Sequence, residues 1–177
     1  MSVGTLERRQ ATELRTTDRK LEGYAAIFNS EARIGTFVET ILPGAFRSAL
    51  AGDVLALLDH DASKVLGRTR SGTLRLWEDT HGLAFSLDLP DTAPGRDALA
   101  LAMRSDLGGM SFGLNVPKGG QSWAGDKRTL SAIGLKEISV ISAWPAYPDT
   151  SLALRSREGA DDSRRRRLIM AELGAWA

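Results

Sequence analysis

The middle of the chain alternates apolar and polar positions over short runs. In the stretch GLAFSLDLP, Leu83, Phe85, Leu87 and Leu89 occupy every second position, with smaller or polar residues between them. This period of two predicts a half-buried β-strand. Similar runs, each predicting a strand, are GYAAIF, TFVETI, VLALLDH, TLRLWED, SFGLNV, RTLSAI and LKEISVI, with turns predicted at RSG (70–72) and DTHG (79–82). About seven or eight short strands of this kind are typical of a β-barrel or a β-sandwich.

Two segments interrupt the alternation and predict helices. In PGAFRSALAG, Pro43 suits a first helical turn, Phe46 and Leu50 share a face at i and i+4, and Gly52 provides a stop.

The second predicted helix is TAPGRDALALAMRSDLGG. It has Thr92 as a candidate N-cap, Pro94 in the first turn, a body rich in Ala, Leu and Met, and Gly108 and Gly109 as terminators.

Composition limits the class of protein. The 177 residues are 42% hydrophobic, which is enough for one well-buried core. The chain has no cysteine, which excludes disulfides, zinc–thiolate sites and thiol nucleophiles and fits a reducing compartment. The N-terminal residues lack the apolar segment of a signal peptide, and no run approaches the roughly 18 apolar residues of a membrane span, so a cytoplasmic protein is expected.

The net charge of +1 is unevenly distributed. Four arginines at 164–167 together with Glu172 account for +3, so residues 1–163 carry −2. This slightly acidic body does not indicate a nucleic-acid-binding protein. We predict a charged, solvated tail at 157–177, in which LIMAELGAWA has the pattern of a short docking helix.

The segment GMSFG, residues 109–113, matches the pattern G-x-S-x-G and raises Ser111 as a candidate nucleophile. An α/β-hydrolase places this serine between a strand and a helix, with its histidine later in the chain. Here the predicted order is helix, glycines, serine, strand, and both histidines precede Ser111. An α/β-hydrolase is therefore excluded, while a serine hydrolase of another fold, or a plain glycine-rich turn, remains open.

The general base of such an enzyme would be His60 or His81. His81 lies next to Gly82, where a turn between strands is the natural interpretation. His60 follows an apolar strand and is flanked by Asp59 and Asp61, which suit a protonated imidazole. A structural role for either histidine stays open on these residues alone.

Several long blocks, in this order, resemble the prohead maturation proteases of tailed phages and gene transfer agents, distant relatives of the herpesvirus assembly proteases. The blocks are GYAAIFN, ETILPGAF, ALLDHDASKVLGRTRSGTLRLWEDTHGLAFSLDLPDT, GRDALALAMRSDLGGMSFG and LKEISVISAWPAYPDTSLALRS. The resemblance covers about residues 22–156 and implies an N-terminal extension at 1–21 and a tail at 157–177. It implies a mainly β fold of the α+β class: a closed or partly closed antiparallel barrel of about seven strands with flanking helices.

The resemblance also implies site residues. The family's histidine motif, usually N-H-D, falls on His60, with Asp59 in place of the common asparagine, and its G-M-S-F-G motif gives Ser111 as the nucleophile. The third member, acidic in the phage branch, falls on Glu137. From the residues alone, Glu137 lies on a strand face with Leu135, Ser139 and Ile141 and has a structural ion pair with Arg128 as its alternative role.

The herpesvirus branch has an arginine pair at its oxyanion hole, and no such pair occurs between Glu137 and Arg155. The backbone of Gly109 and Met110, or the side chain of Arg68, are therefore the candidates here.

The function implied is that of a serine endopeptidase that matures the procapsid by cleaving the scaffold, capsid-protein extensions and itself. Its expected partners are the major capsid protein with its scaffold segment and a second copy of the chain, inside the immature procapsid in the host cytoplasm. No cofactor, metal, membrane or specific nucleic acid is expected. The alternative is a non-catalytic barrel that binds scaffold during assembly, and a small-ester hydrolase is disfavoured by the order of the site residues.

Overall fold

The structure, a computed structural model, describes residues 7–11, 14–17 and 19–143, with side chains from residue 19 onward. This part of the chain forms thirteen strands, one α-helix and one short 3-10 helix. They are β1 (Glu7–Ala11), β2 (Leu14–Thr17), β3 (Lys20–Ile27), β4 (Ala32–Ile34), β5 (Phe37–Ile41), the 3-10 helix (Ala49–Ala51), β6 (Leu55–Leu58), β7 (Asp61–Arg68), β8 (Leu74–Glu78), β9 (Gly82–Asp88), α1 (Ala93–Met103), β10 (Gly109–Asn115), β11 (Gln121–Ala124), β12 (Lys127–Leu130) and β13 (Gly134–Ile141). The predicted tail at 157–177 and its docking helix lie outside the described residues.

The strands form three sheets. A five-stranded sheet has the order β1-β10-β13-β6-β7, and two four-stranded sheets have the orders β11-β12-β5-β4 and β2-β3-β9-β8. Neighbouring strands are antiparallel except for the pairs β13 with β6 and β12 with β5, which are parallel. The five-stranded sheet positions the candidate site, because it contains β10, β13 and the hairpin of β6 and β7.

The mainly β prediction is confirmed. Each run predicted from period-two alternation coincides with one of the strands β3, β5, β6, β8, β9, β10, β12 and β13. Alternation did not reveal the remaining strands, including β7, whose four consecutive exposed residues at 62–65 show no apolar period. Closure into a barrel stays a prediction, because hydrogen-bond pairing within the described residues gives three open sheets.

The predicted helix after Thr92 is confirmed. Thr92 is the N-cap of α1, its side chain accepts a hydrogen bond from the backbone N–H of Gly95, and a proline occupies the first turn. The helix ends at Met103, five residues before the first predicted terminator, and Ser105 beyond it has φ of +59°. A left-handed residue stops the helix as effectively as a glycine would.

The helix predicted over PGAFRSALAG was wrong. Gly44 has φ of +87°, outside the right-handed helical region, and the N–H of Phe46 donates to the Glu78 carboxylate at 2.8 Å. Most of the hydrogen bonds in this segment, such as Ala49 N–H to the Phe46 carbonyl, span three residues and form turns and the 3-10 helix, and the bond from Leu50 N–H to the Phe46 carbonyl spans four. The positive φ of Gly44 thus interrupts the predicted helix in its first turn, and only turns and a short 3-10 helix form after it.

Phe46 nevertheless occupies the centre of the core. Its ring is fully buried and lies 5.7 Å, centroid to centroid, from Phe112 of β10 and 6.3 Å from Phe28. It packs between the five-stranded sheet and the segment after β3.

In the described part of the chain, no helix has the length and apolar character needed to cross a membrane.

Replacing Phe46 by alanine is expected to lower the free energy of unfolding by about 3–5 kcal/mol, since it leaves a cavity between two other aromatic rings. Urea denaturation followed by tryptophan fluorescence measures the change. Met103→Ala is the control, because Met103 is 73% exposed and its truncation should change stability by less than about 0.5 kcal/mol. Equal effects of the two substitutions would contradict the assigned core.

Candidate active site

His60 lies in the turn that joins β6 to β7. Leu58 pairs with Asp61, so Asp59 and His60 are the two central residues of a two-residue hairpin loop. Their φ angles are +53° and +59°. Positive φ at both central positions is what a type I′ turn requires, and this turn matches the twist of the flanking strands. The turn therefore presents His60 at the end of the five-stranded sheet.

The imidazole of His60 is hydrogen-bonded to Glu137 of β13. His60 Nδ1 lies 2.8 Å from Glu137 Oε1. The two side chains are 20% and 7% exposed, so the pair is mostly shielded from water. Because an ionised carboxylate only accepts hydrogen bonds, we assign the Nδ1 proton to this contact. Nε2 is then the nitrogen that accepts a proton in the neutral ring.

The second carboxylate oxygen of Glu137 is held from its own strand. Ser139 Oγ donates to Glu137 Oε2. Residues two apart on a strand share a face, so these side chains lie side by side. Burying a carboxylate is costly unless donors compensate it, and here His60 and Ser139 each satisfy one oxygen.

Ser111 lies in the middle of β10, directly opposite Ser139 of β13. Its neighbours Met110 and Phe112 are buried in the core, so Ser111 points to the opposite face of the sheet. Directly opposed residues in antiparallel strands have Cα atoms about 4.5–5.5 Å apart. The hydroxyl of Ser111 thus shares a sheet face with Ser139 and with the carboxylate that holds His60.

This arrangement combines three chemical groups: a serine hydroxyl, an imidazole and a carboxylate. The carboxylate binds Nδ1 of the imidazole, which leaves Nε2 to accept a proton. These are the groups required for nucleophilic acyl transfer. They come from β10, the β6–β7 turn and β13, which are adjacent in the five-stranded sheet.

In a comparison with protein-family models, the caudovirus prohead serine protease model matches residues 5–164. The chain belongs to the caudovirus prohead serine protease family. Comparisons with curated proteins and with solved structures gave no significant match. The predicted resemblance is therefore confirmed, and membership of this family implies a serine protease.

The matched region extends beyond the predicted limits of 22–156 at both ends and includes Ser111, His60 and Glu137. Strand β1, which falls within residues 1–21, pairs with β10 of this prohead protease, with Gln10 opposite Ser111.

The three oxyanion candidates occupy different places. Gly109 and Met110 begin β10 immediately before Ser111, and Gly109 has φ of +126°. Arg68 ends β7, three strands away from β10, or about 14 Å at the usual strand spacing. Its guanidinium donates to Asp53 at 2.9 Å, and this hydrogen bond holds the pKa of Asp53 below its ordinary value.

The carboxylates that flank His60 are directed elsewhere. Asp59 accepts hydrogen bonds from Ser142. Asp61 accepts from the hydroxyl and backbone N–H of Ser63, and these contacts hold the pKa of Asp61 below its ordinary value. The carboxylate bound to the imidazole is that of Glu137, 77 residues away in sequence.

The other residues weighed at the sequence level have separate contacts. His81 lies in the β8–β9 turn, as predicted, where its backbone N–H donates to Asp79. Arg128, considered as a structural partner for Glu137, donates to Glu39 at 3.0 Å and to Gln121 at 2.7 Å.

Sequence reasoning missed the contribution of Ser139 and misplaced Leu135. Gly113 pairs with Glu137 but Leu114 pairs with Leu135, so Lys136 is the extra residue of a β-bulge. The bulge moves Leu135 to the core face, and the prediction that it shares a face with Glu137 was wrong. The i, i+2 spacing of Glu137 and Ser139 was the available signal for their contact.

Gly113 makes room for the Glu137 carboxylate. A Cβ atom built on Gly113 would lie 2.6 Å from Glu137 Oε1, the oxygen that binds His60. That contact is closer than carbon and oxygen tolerate, and the flexible end of the glutamate is what can move. A methyl group here would therefore displace the carboxylate from His60.

Gly113→Ala is expected to fold and to react with a fluorophosphonate serine probe on the order of 10² more slowly, because a misplacement of about 1 Å suffices for such a loss. Gly134→Ala is the matched control. Its Cβ would lie 2.6 Å from Asn115 Oδ1 on the same strand pair, where it meets another flexible polar side chain. Similar probe rates in both variants would contradict the role assigned to Gly113.

Proposed function

We propose that the chain is a serine endopeptidase in which Ser111 is the nucleophile, His60 the general base and acid, and Glu137 the residue that orients His60. The observation that carries the proposal is the 2.8 Å contact between His60 Nδ1 and Glu137 Oε1 on the face of the sheet that also presents Ser111. Family membership supports the class of reaction.

In the first half-reaction, Ser111 Oγ attacks the carbonyl carbon of the scissile peptide bond while His60 Nε2 takes the hydroxyl proton. The tetrahedral intermediate collapses when the C–N bond breaks and His60 returns the proton to the leaving amine. Water then attacks the acyl carbon and loses a proton to His60. When the second intermediate collapses, the ester C–O bond breaks, His60 returns the proton to Ser111 Oγ, and the acyl fragment leaves as a carboxylic acid. Glu137 fixes the imidazole tautomer and stabilises the imidazolium in both halves.

For the oxyanion hole we favour the backbone at Gly109 and Met110 over Arg68. The first pair adjoins Ser111 in sequence, and a glycine with φ of +126° allows a substrate to approach the main chain closely. Arg68 lies three strands away and already binds Asp53, so its use would require that ion pair to break.

We further propose that the enzyme acts in the immature procapsid on the scaffold segment of the major capsid protein, on capsid-protein extensions and on its own termini. Membership of the prohead protease family supports this role. The same proposal includes three further points: the enzyme is a homodimer, assembly takes place in the host cytoplasm, and a gene transfer agent is the alternative to a phage as its source.

The first test is co-expression with the cognate capsid and scaffold proteins, followed by intact mass measurement. Wild type is expected to give defined shortened fragments, and Ser111→Ala to give full-length masses, with the rate lowered by roughly 10⁴ to 10⁶. Ser122→Ala, on the exposed strand β11, is the control and should cleave normally. Full-length masses with wild type, together with normal shell assembly, would favour the non-catalytic scaffold-binding alternative.

Glu137→Gln is expected to keep the fold and to lower kcat on the order of 10⁴, because an amide does not stabilise the imidazolium or impose the same tautomer. Initial rates on the cleavage site found by mass measurement give kcat and KM. Glu22→Gln is the matched control, since Glu22 on β3 also accepts a serine hydroxyl, from Ser86 at 3.1 Å, but lies in another sheet. A loss below tenfold would remove Glu137 from the proposed triad.

A further inference from the structure

The turn that carries His60 is fastened to β13 by its other central residue. Resting on the proposed function, we infer that Asp59, through Ser142, is a positioning residue that fixes the backbone of the general base. Asp59 does not contact the reacting atoms in this role; it acts through His60.

Three hydrogen bonds make the connection. The backbone N–H of Asp59 donates to the Val140 carbonyl at 2.9 Å. The backbone N–H of Ser142 donates to Asp59 Oδ1 at 2.8 Å, and Ser142 Oγ donates to Asp59 Oδ2. Both carboxylate oxygens are thus engaged by a single residue at the end of β13. We call these contacts the Asp59 clamp.

The conformation of the turn explains why a clamp is needed. Asp59 and His60 both have positive φ, a region that is costly for residues with a side chain. Such residues persist where surrounding contacts over-determine them. Asp and Asn tolerate this region better than most residues, so position 59 suits both the turn and the clamp.

Strand β13 then holds His60 at two points. Glu137, inside the strand, binds the imidazole, and Ser142, just past its end, holds the backbone through Asp59. One hydrogen bond to the ring fixes its tautomer but still lets the ring pivot about that contact. A second attachment at the backbone limits the pivot and so fixes the direction in which Nε2 points.

The chemistry of residue 59 determines which substitutions keep the clamp. A carboxylate accepts from both donors of Ser142 at once. An asparagine, the common residue of the family motif at this position, keeps one acceptor for the Ser142 N–H and offers its NH₂ group to Ser142 Oγ. Alanine offers neither contact and does not favour positive φ.

The test compares Asp59→Ala, Asp59→Asn and Ser142→Ala for kcat and KM, for fluorophosphonate labelling of Ser111, and for the ¹⁵N resonances of the His60 imidazole. We expect Asp59→Ala to lose on the order of 10 to 10² in kcat with KM unchanged, and its His60 resonances to shift or broaden. Asp59→Asn should stay within about threefold of wild type, and Ser142→Ala, which keeps its backbone donor, should fall between them.

Asp79→Ala is the matched control. Asp79 also caps a histidine-bearing hairpin turn, accepting from the N–H groups of His81 and Gly82, but in another sheet. Asp79→Ala should lower the stability of the fold by loosening such a turn, and it should leave kcat unchanged. The double variant Asp59→Ala with Ser142→Ala should be no slower than Asp59→Ala alone, because both remove the same contact.

The inference is overturned if Asp59→Ala keeps the wild-type kcat and His60 resonances, or if Asp59→Asn loses as much as Asp59→Ala. Should Asp59→Ala not fold, Ser142→Ala decides: a kcat and imidazole spectrum identical to wild type would overturn the clamp. If wild type itself neither cleaves nor labels, the proposed protease function fails, while the imidazole spectra still test whether Asp59 positions His60.

Discussion

The hydrogen bond between His60 and Glu137 is the contact on which the candidate site depends. It joins a two-residue turn to a strand 77 residues later, across the parallel pair β6 and β13. That pairing places Ser139 beside Leu57. The turn that follows β6 therefore lies where the His60 side chain can contact Glu137 of β13. The register of one parallel pair therefore decides whether an imidazole and a carboxylate meet.

A buried carboxylate imposes further requirements on the sequence. The Glu137 side chain is 7% exposed, so both of its carboxylate oxygens need donors and the side chain needs space. His60 and Ser139 supply the donors, and the missing side chain at Gly113 supplies the space. Gly113, the second glycine of the GMSFG motif, thus has a steric role, because a side chain there would displace the Glu137 carboxylate.

Local periodicity was sufficient to predict the strands that bury one face, and capping chemistry at Thr92 was sufficient to predict α1. Periodicity failed where the backbone departs from regular geometry. The positive φ of Gly44 interrupts the predicted helix in its first turn, and the extra residue Lys136 inverts the face of Leu135. Neither the conformation of Gly44 nor the bulge leaves a mark in the local pattern of apolar residues.

The same limit applies to the site. Motif resemblance supplied His60, Ser111 and Glu137 individually, while their proximity, the contact with Ser139 and the clamp at Asp59 depend on strand pairing. Successive side chains of β10 point to opposite faces of the sheet. Met110 and Phe112 pack in the core, and Ser111 between them faces the opposite side. A serine held between two fully buried anchors has little freedom to move along or around its strand. Ser111 is therefore positioned by the core and His60 by β13, so the core and the strand register together set the geometry between the two side chains.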